Sequence, residues 1–305
     1  MTATQDESVN ARKNRWHQST LSTLLDGCSW QYFLTYVLEL PQGDKPHALV
    51  GSAFHSAVEL HEKNRMNSLN TTLQEMETNA IQFISDNLKD RTLLDSLCDT
   101  VKVTLENWYT KGQRDWLLNY TPISIEPEFT LPLVDNAKPI GGYIDAIYRD
   151  DTTGTYFIVD HKTAKSFDRW RSGEGHRYQA AMYSAALVLS DEFPDITEMI
   201  EMVYMVTRTS TSKRKDFEHT RIVRVMPNLD DVKLLGDRIR TAEEIVSTES
   251  FKQRPDWILC SSKWCPFFQG CQVDKTLSGD VNLLKIGMRQ QLEQTQSDNK
   301  QDKEI

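Results

Sequence analysis

The stretch Gly-Thr-Tyr-Phe-Ile-Val-Asp-His-Lys-Thr, residues 154–163, decides how the rest of the chain is interpreted. Its residues 156–159 are aromatic or β-branched, which is typical of a central strand buried on both faces. The strand then ends in Asp160, His161 and Lys162. Because side chains alternate along a strand, Asp160 and Lys162 point to the same side of the sheet. A carboxylate and an ammonium at the end of a buried strand indicate either a functional site or a surface ion pair.

The preceding stretch predicts a partner strand. Residues 140–148, Ile-Gly-Gly-Tyr-Ile-Asp-Ala-Ile-Tyr, form an apolar run, and the turn at 149–154 joins the two runs into a hairpin. Asp145 lies inside this run, and charged side chains are rarely buried unless they are paired or bind a metal. The hairpin brings Asp145 near Asp160, and a surface ion pair between Asp160 and Lys162 would leave Asp145 unexplained. We therefore expect a functional site.

The chemistry expected of this site is metal-dependent. A predicted helix carries His55, with Glu59 one turn later; taken alone, this pair indicates a hydrogen bond on the helix surface. Together with Asp145 and Asp160, however, His55 completes a set of two carboxylates and an imidazole, which suits magnesium or manganese. Such an ion orients a phosphodiester and acidifies a water, which Lys162 can position or activate. The set predicts a phosphodiesterase centre.

Length and charge narrow the class of protein. The 305 residues suffice for one large domain or for one domain with a helical addition. The chain has no run of 18 apolar residues and no apolar signal-peptide core, so we expect a soluble, intracellular protein. The net charge of −9 argues against a nucleic-acid partner in general, but an acidic protein can hold a local basic groove. Candidates for such a groove, or for solvated surface charges, are Lys162, Lys165, Arg169, Arg171, His176, Arg177, Arg208, Lys213, Arg214 and Lys215.

The five cysteines point to a second metal centre. Their odd number and the expected reducing compartment argue against a disulfide framework. Cys260, Cys265 and Cys271 lie close together in sequence, with Cys28 as the natural fourth ligand. Four thiolates suit an iron–sulfur cluster or zinc, and three clustered cysteines plus a distant one favour a cubane cluster. Unligated thiols are the alternative, and Cys98 is interpreted as a plain buried thiol.

The remaining periodicity outlines the other elements. Helices are predicted at about 23–36, twice within 71–118, at 175–189 and at 229–247, and strands at 123–134, 200–206 and 220–225. Gln179 and Tyr183 are one helical turn apart, a spacing that alone indicates packing. After residue 284 the chain is polar and rich in glutamine, which predicts disorder.

Six motifs occur in an order that resembles a known nuclease family. They are Ser22–Cys28, Gly51-x-x-x-His55, Gly142-x-x-Asp145, Asp160-x-Lys162, Gln179-x-x-x-Tyr183 and the cysteines at 260, 265 and 271. Together they resemble the RecB-like branch of the PD-(D/E)xK nuclease superfamily, and within it the iron–sulfur exonucleases related to the CRISPR-associated RecB-type proteins and their phage relatives. Two features differ from the family: no proline precedes Asp145, and four residues separate Cys260 from Cys265 where many relatives have two.

The resemblance implies an α/β fold with a restriction-endonuclease-like core. Its mixed central β-sheet is flanked by helices, and an iron–sulfur cluster joins an N-terminal helical region to a C-terminal segment. We accordingly expect a flexible arm at 1–18, a single nuclease domain at 19–284 and a disordered tail at 285–305. The nuclease domain would contain a helical insertion at about 66–120 and a cluster-binding segment at 257–271.

The resemblance also implies roles for individual residues. The catalytic residues would be Asp145, Asp160, Lys162, Gln179 and Tyr183. Lys162 would assist the nucleophilic water, and Gln179 and Tyr183 would place the substrate and the lysine. The Mg²⁺ or Mn²⁺ ligands would be His55, Asp145, Asp160 and the backbone carbonyl of His161. The ligands of a [4Fe-4S] cluster would be Cys28, Cys260, Cys265 and Cys271. For DNA contacts we expect Lys165, Arg169 and Arg177.

These expectations converge on a metal-dependent DNA exonuclease in the cytoplasm of a prokaryote, or encoded by a phage. It would act on single-stranded DNA or duplex ends in recombination, repair or CRISPR or phage DNA processing. The alternatives are a DNA-end-binding or assembly subunit that acts through a partner, and a zinc-only scaffold. Besides DNA, the expected partners are further copies of the chain or recombination or CRISPR proteins, and no membrane.

Overall fold

The structure is a computed structural model that describes residues 14–271 except positions 41, 43–44, 111–112, 213, 215, 257, 262–263 and 269–270. The predicted arm before residue 14 and the predicted tail at 285–305 lie outside the described residues. Contacts within the chain divide it into two compact units. The first comprises Met1–Gln18 and Asp44–Thr241, and the second comprises Ser19–Gly43 and Ala242–Ile305.

The strands of the first unit form one large sheet and one small sheet. The strands are β1 (Thr121–Ile125), β2 (Glu128–Leu131), β3 (Ile140–Tyr143), β4 (Ala146–Asp150), β5 (Thr155–Ala164), β6 (Glu201–Arg208) and β7 (Thr220–Val225). The large sheet has the order β1-β4-β5-β6-β7; β5 and β6 are parallel, and the other neighbours are antiparallel. The separate pair β2–β3 is antiparallel. This mixed sheet, with helices packed against it, fits the predicted restriction-endonuclease-like core.

The helices follow the predicted order, but two short helices replace the one predicted at 23–36, and, among the described residues, three helices occupy the region 71–118, where two were predicted. The helices are α1 (Gln18–Leu21, continued as a π-helix over Ser22–Asp26), α2 (Ser29–Tyr32, continued as a π-helix over Phe33–Val37), α3 (Pro46–Met66), α4 (Leu73–Asn87), α5 (Leu94–Thr110), α6 (Gln113–Leu117), α7 (Arg177–Val188) and α8 (Leu229–Ser247). Helix α4 begins with a capping box, in which Thr72 and Glu75 satisfy each other's backbone N–H groups. No helix within the described ranges is long and apolar enough to cross a membrane.

The two faces of the large sheet serve different purposes. On one face, Phe157 and Val159 of β5 pack into a buried core with α3, α4 and α5. Residues of the opposite parity, including Asp160, point toward α7, whose Gln179 contacts Asp160. The alternation predicted for residues 156–162 therefore separates a packed face from a polar one.

The predicted hairpin is confirmed, but the strand that carries Asp145 is divided. Ala146 pairs with Val159 and Asp150 pairs with Thr155, as expected of a β4–β5 hairpin. The predicted continuous strand over residues 140–148 is wrong, because the chain leaves the small sheet after Tyr143 and enters the large sheet at Ala146. Asp145 lies at this break, where its side chain is free to turn toward β5.

The N-terminal helical region also differs from the prediction of one helix at 23–36. The chain leaves helical conformation at Gly27 and Cys28, with Cys28 in an extended conformation immediately before α2. Cys28 thus lies between two short helices and not within one. Residues 14–17 of the predicted arm pack along β3, where Trp16 is buried and forms a parallel bridge with Ile140.

Candidate active site

Asp160 and Lys162 lie on the same face of β5, as the alternation predicts. The Asp160 side chain is buried, and its Oδ2 contacts the Lys162 ammonium. Its other oxygen, Oδ1, accepts a hydrogen bond of 2.9 Å from the Gln179 Nε2. Both oxygens of the Asp160 carboxylate therefore have a partner, one on β5 itself and one on the helix α7 that covers this face.

Asp145 reaches the same site from the break between β3 and β4. Its Oδ2 accepts a 2.7 Å hydrogen bond from the His161 backbone N–H and lies 3.2 Å from the His55 Nδ1. His55 projects from the middle of α3, which packs beside β5. Two carboxylates and an imidazole, residues far apart in sequence, thus meet at the carboxyl end of β5.

Helix α7 brings Gln179 and Tyr183 to the site. Gln179 Nε2 lies 3.1 Å from the Tyr183 hydroxyl, and both side chains are buried. Their one-turn spacing is therefore used for a polar contact with the site and not only for packing. Burial, followed by the charge of Asp160, raises the pKa of Tyr183, so its hydroxyl stays protonated and able to donate.

The charges of the site depend on one another. Burial raises the pKa of Asp160, and the charge of Asp145 adds to this, while Lys162 opposes it. For Asp145, burial acts in the same direction, but His55 and then Lys162 outweigh it and hold its pKa below the usual range. Burial would lower the pKa of Lys162, but the two carboxylates raise it instead. The site therefore balances two buried acids against the cationic groups of the chain itself.

The donor set fits a hard divalent ion in its chemistry. No three His, Cys, Asp or Glu side chains in the described part of the chain converge closely enough to enclose a metal as they stand. Instead, Lys162 and His55 occupy the carboxylates of Asp160 and Asp145. Carboxylate oxygens and an imidazole are nonetheless ligands that Mg²⁺ or Mn²⁺ accepts, and an ion would relieve the repulsion between the two buried acids.

The four cysteines predicted as cluster ligands line one cavity of the second unit, and their role as ligands stays a prediction. They are Cys28, Cys260, Cys265 and Cys271, and Trp30 and Phe267 are among the other walls of the cavity. Burial raises the pKa of Cys271 to about 11, and the charges of the other three cysteines contribute. Within the described residues, however, no three of these thiols are close enough together to hold a metal ion. Cys98 of α5 does not line this cavity.

The three predicted DNA contacts have different surroundings. The guanidinium of Arg177 binds the Asp231 carboxylate at 2.9 and 2.6 Å, which joins the first turns of α7 and α8. Lys165 and Arg169 are exposed in the segment after β5. Arg177 is thus occupied within the chain, whereas the other two cations face solvent.

The sequence reasoning missed two neighbours of the site. Glu126 has a positive φ of 57°, and its N–H donates a 3.0 Å hydrogen bond to the Asp145 carbonyl. Burial, then the charge of Asp145, raises the pKa of Glu126 to about 7. Tyr204 lies opposite Asp160 in the β5–β6 register and donates to the His176 carbonyl. Nothing in the local sequence pattern distinguishes either residue, because only the pairing of strands brings them close.

Comparisons with known proteins confirm the predicted superfamily, and the RecB-like branch and the iron–sulfur subtype stay predictions. A model of the PD-(D/E)XK nuclease superfamily matches residues 15–272. No curated protein gives a significant match. Among solved structures, the chain is similar to one titled "Crystal structure of SSO0001", with 14% identity and a TM-score of 0.33 over 88% of this chain and 96% of that chain. The family model spans all the motifs from Cys28 to Cys271.

Proposed function

Because the chain belongs to the PD-(D/E)XK nuclease superfamily, we propose that it is a metal-dependent DNA exonuclease that cleaves phosphodiester bonds of single-stranded DNA or of DNA ends. The observation that carries the proposal is the convergence of Asp145, Asp160 and Lys162 at one end of β5, with His55 and Gln179 against the two carboxylates. A nuclease hydrolase follows from the family itself. The exonuclease activity and the choice of DNA ends are the parts that are proposed.

Each residue of the site has a role in this proposal. A magnesium or manganese ion bound by His55, Asp145, Asp160 and the His161 carbonyl would supply positive charge at the scissile phosphate and a more acidic water. Gln179 donates to Asp160 Oδ1 and thereby fixes the plane of that carboxylate, so that Oδ2 is presented to the site. If a metal ion took up Asp160 Oδ2, the Lys162 ammonium would no longer be held by that oxygen and could donate to the attacking water or to a phosphate oxygen.

The four cysteines would bind a [4Fe-4S] cluster with a structural role. Support comes from the cavity that all four line, which lies in the second unit and not at the carboxylates. The aromatic side chains of Trp30, Phe267 and Phe268 line the same cavity and would limit the access of solvent and oxidant. A zinc ion with four thiolate ligands is the competing occupant.

The alternative is a DNA-end-binding or assembly subunit with little turnover of its own. Such a protein has no need of a buried carboxylate pair beside a lysine, which is costly to maintain without a function. The proposed setting is intracellular DNA processing in recombination, repair or CRISPR or phage pathways. DNA is the proposed partner, and further copies of the chain or other processing proteins would be additional ones.

The test is a nuclease assay on end-labelled single-stranded and duplex DNA, with and without Mn²⁺. Asp160→Asn and Lys162→Met keep the side-chain volume, and each should lower the cleavage rate by at least about a hundredfold, the usual cost of removing a group that stabilises charge in the transition state. Lys102→Ala, at an exposed lysine of α5, is the control and should cleave as the parent does. Melting temperatures close to the parent's would show that the variants are folded.

The products distinguish the proposals. Mononucleotides or short fragments released progressively from one end indicate an exonuclease, and internal cuts in circular DNA would contradict that part. Binding of DNA ends without any metal-dependent turnover would favour the assembly subunit. Cleavage by both variants at the parent's rate would mean that the site is assigned to the wrong residues.

A further inference from the structure

The segment between β5 and α7, residues 165–176, begins at the catalytic end of the sheet. In the parallel register of β5 and β6, Lys162 lies opposite Val206 and Ala164 lies opposite Arg208. The β5–α7 segment therefore starts three residues after the catalytic lysine. It then extends on the side of β6 and β7, away from β4.

Cation–π contacts hold this segment against β6 and β7. The ring of Phe167 lies between two guanidinium groups, with Arg208 Cζ at 4.3 Å and Arg221 Cζ at 4.8 Å from its centroid. Arg208 also donates a 2.9 Å hydrogen bond to the Lys165 carbonyl. Arg221 in turn donates at 3.4 and 3.5 Å to the carbonyls of Phe167 and Trp170. Both arginines thus bind the backbone of the segment as well as its aromatic side chain.

Close packing holds the rest of the segment. The Trp170 and His176 rings are stacked at 4.0 Å with an interplanar angle of 7°. The Tyr204 hydroxyl donates a 2.9 Å hydrogen bond to the His176 carbonyl. At Gly173, an added Cβ would lie 2.1 Å from Val225 Cγ2, so the backbone approaches β7 as closely as only glycine permits. The β5–α7 segment is therefore fixed along most of its length.

Two cations on this fixed segment lack an acidic partner. Lys165 and Arg169 are exposed, and neither forms an ion pair with any residue that the structure describes. Four neighbouring arginines are paired with an acid, and a fifth, Arg208, is engaged by backbone carbonyls and aromatic rings. These pairs are Arg171 with Asp168, Arg177 with Asp231, Arg221 with Glu218 and Arg224 with Glu201. On a chain with a net charge of −9, two unpaired cations beside the catalytic end indicate an external anion.

We propose that the β5–α7 segment is a preformed contact surface for the phosphate backbone of the substrate strand, which it binds through Lys165 and Arg169 beyond the scissile nucleotide. This inference rests on the proposed nuclease function and adds where the strand runs, which is across β6 and β7 from the catalytic end. The phosphates of a DNA strand repeat at regular intervals beyond the scissile phosphate. In the same way, Lys165 and Arg169 follow the catalytic lysine along the chain, so they could each bind one of these phosphates. Because the surface is fixed before binding, little ordering entropy opposes the contact.

The proposal predicts how cleavage depends on the length of the substrate. An oligonucleotide too short to reach Lys165 and Arg169 gains nothing from them, whereas a longer one gains affinity with each phosphate bound. Contacts with phosphates also release counterions. Two contacts with a single strand therefore make the slope of log affinity against log salt concentration more negative by about 1.4. The gain should therefore be sensitive to salt.

The experiment measures kcat/KM for a series of end-labelled oligonucleotides of increasing length, at several salt concentrations. The double variant Lys165→Ala with Arg169→Ala should cleave the shortest substrate at the parent's rate and lose roughly tenfold on long ones, with a shallower salt slope. The conservative variant Lys165→Arg with Arg169→Lys should restore the length dependence. The control variant Lys89→Ala with Lys102→Ala removes the same charge from exposed positions elsewhere and should behave as the parent.

Three other outcomes would contradict either this inference or the proposed nuclease function. If the double variant keeps the parent's length dependence and salt slope, the segment does not bind the strand and this inference is overturned, while the nuclease proposal stands. If the shortest and longest substrates are slowed equally, the two cations act at the scissile nucleotide and the inference is also overturned. If the parent cleaves no DNA with Mn²⁺, the proposed function fails first and the inference falls with it.

Discussion

His61 and His161 are buried histidines whose ring nitrogens have no hydrogen-bond partner among the described residues. The Trp108 ring lies between them, with centroids 5.3 Å from His61 and 6.0 Å from His161. Burial lowers the pKa of His61 to about 4 and that of His161 to about 3. The Glu62 carboxylate lies 3.7 Å from His61 Nε2, beyond hydrogen-bond distance, and accepts a 2.6 Å hydrogen bond from the Tyr148 hydroxyl. Both imidazoles are therefore neutral in the folded protein at neutral pH.

The protein should consequently lose stability in mild acid. The pKa of His61 is about 4 in the folded chain and about 6.5 in the unfolded chain. As the pH falls below 6.5, the unfolded chain therefore binds a proton that the folded chain does not, which favours unfolding. This loss begins near pH 6.5, continues to about pH 4 and amounts to roughly 1–2 kcal/mol at pH 5 for His61 alone. Urea denaturation at pH 7 and pH 5 measures it.

The matched variants isolate this effect. His61→Leu removes the titrating ring and keeps an apolar side chain beside Trp108, so its stability should fall less between pH 7 and pH 5 than that of the parent. Met66→Leu changes an exposed, non-titrating residue of the same helix and should leave the pH dependence of stability as it is. An identical pH dependence for His61→Leu and the parent would mean that His61 is not buried in its neutral form.

At the scale of elements, the β5–α7 segment depends on one close approach of the backbone. Gly173→Ala would place a methyl group 2.1 Å from Val225 Cγ2, so the segment would have to move away from β7. Overpacking of this kind costs about 1–3 kcal/mol. Gly175→Ala is the matched control, because a Cβ at Gly175 would meet nothing within 4 Å. Thermal denaturation should show a lower melting temperature for Gly173→Ala only, and equal melting temperatures would contradict the packing described for the segment.

The elements that the sequence predicted best are those whose patterns are local. The apolar run at 156–159 and the alternation into Asp160 and Lys162 predicted β5, and the turn before it predicted the β4–β5 hairpin. Helix α8 occupies the predicted residues 229–247 because its apolar period and acidic first turn are continuous. Local propensity sufficed in these places because no distant contact competed with it.

The errors occurred where distant contacts decide the conformation. The run at 140–148 has strand character throughout, but residues 140–143 pair with β2 and residues from 146 pair with β5, so the strand breaks at Asp145. Gly141 shows the same dependence on tertiary structure, since an added Cβ would lie 2.7 Å from Arg15 Cδ. Glycine is required at this position because a segment more than 120 residues earlier in the chain packs against it. No local sequence pattern reveals such a contact.

The sequence was enough to propose the side chains of the candidate site, but it did not reveal the neighbouring residues that pack around them. His55, Asp145, Asp160, Lys162, Gln179 and Tyr183 were singled out by motif spacing, and their side chains are linked by the contacts described above. Glu126 and the β5–α7 segment were not, because their relation to the site arises from strand pairing and from arginine–aromatic packing. Motif spacing selects residues from distant parts of the chain, and the structure is needed to find the neighbours that strand pairing and packing bring to them.

At the scale of the whole molecule, the second unit joins two distant parts of the chain. Its apolar core contains Phe33, Leu34, Leu40 and Phe267, a small set for a stable unit. Direct links between the two parts include the hydrogen bond from the Trp30 N–H to the Lys252 carbonyl at 3.1 Å and that from Arg254 to the Asp26 carbonyl at 2.9 Å. A cluster bound by Cys28 and the three later cysteines would close a loop of more than 200 residues, which is the kind of cross-link that stabilises small cores.

Loss of the proposed cluster should therefore loosen the second unit selectively. Cys28→Ser is expected to lose the brown colour of a thiolate-bound iron–sulfur cluster and the iron measured by metal analysis. Hydrogen exchange should then become faster in residues 29–40 and 251–256, while the β4–β5 hairpin stays protected because its core lies in the first unit. Cys98→Ser is the control, since Cys98 does not line the cysteine cavity, and it should keep both colour and protection. A Cys28→Ser protein that remains brown and protected would remove Cys28 from the ligand set, and a colourless parent that contains zinc would identify the group as a zinc ion with four thiolate ligands.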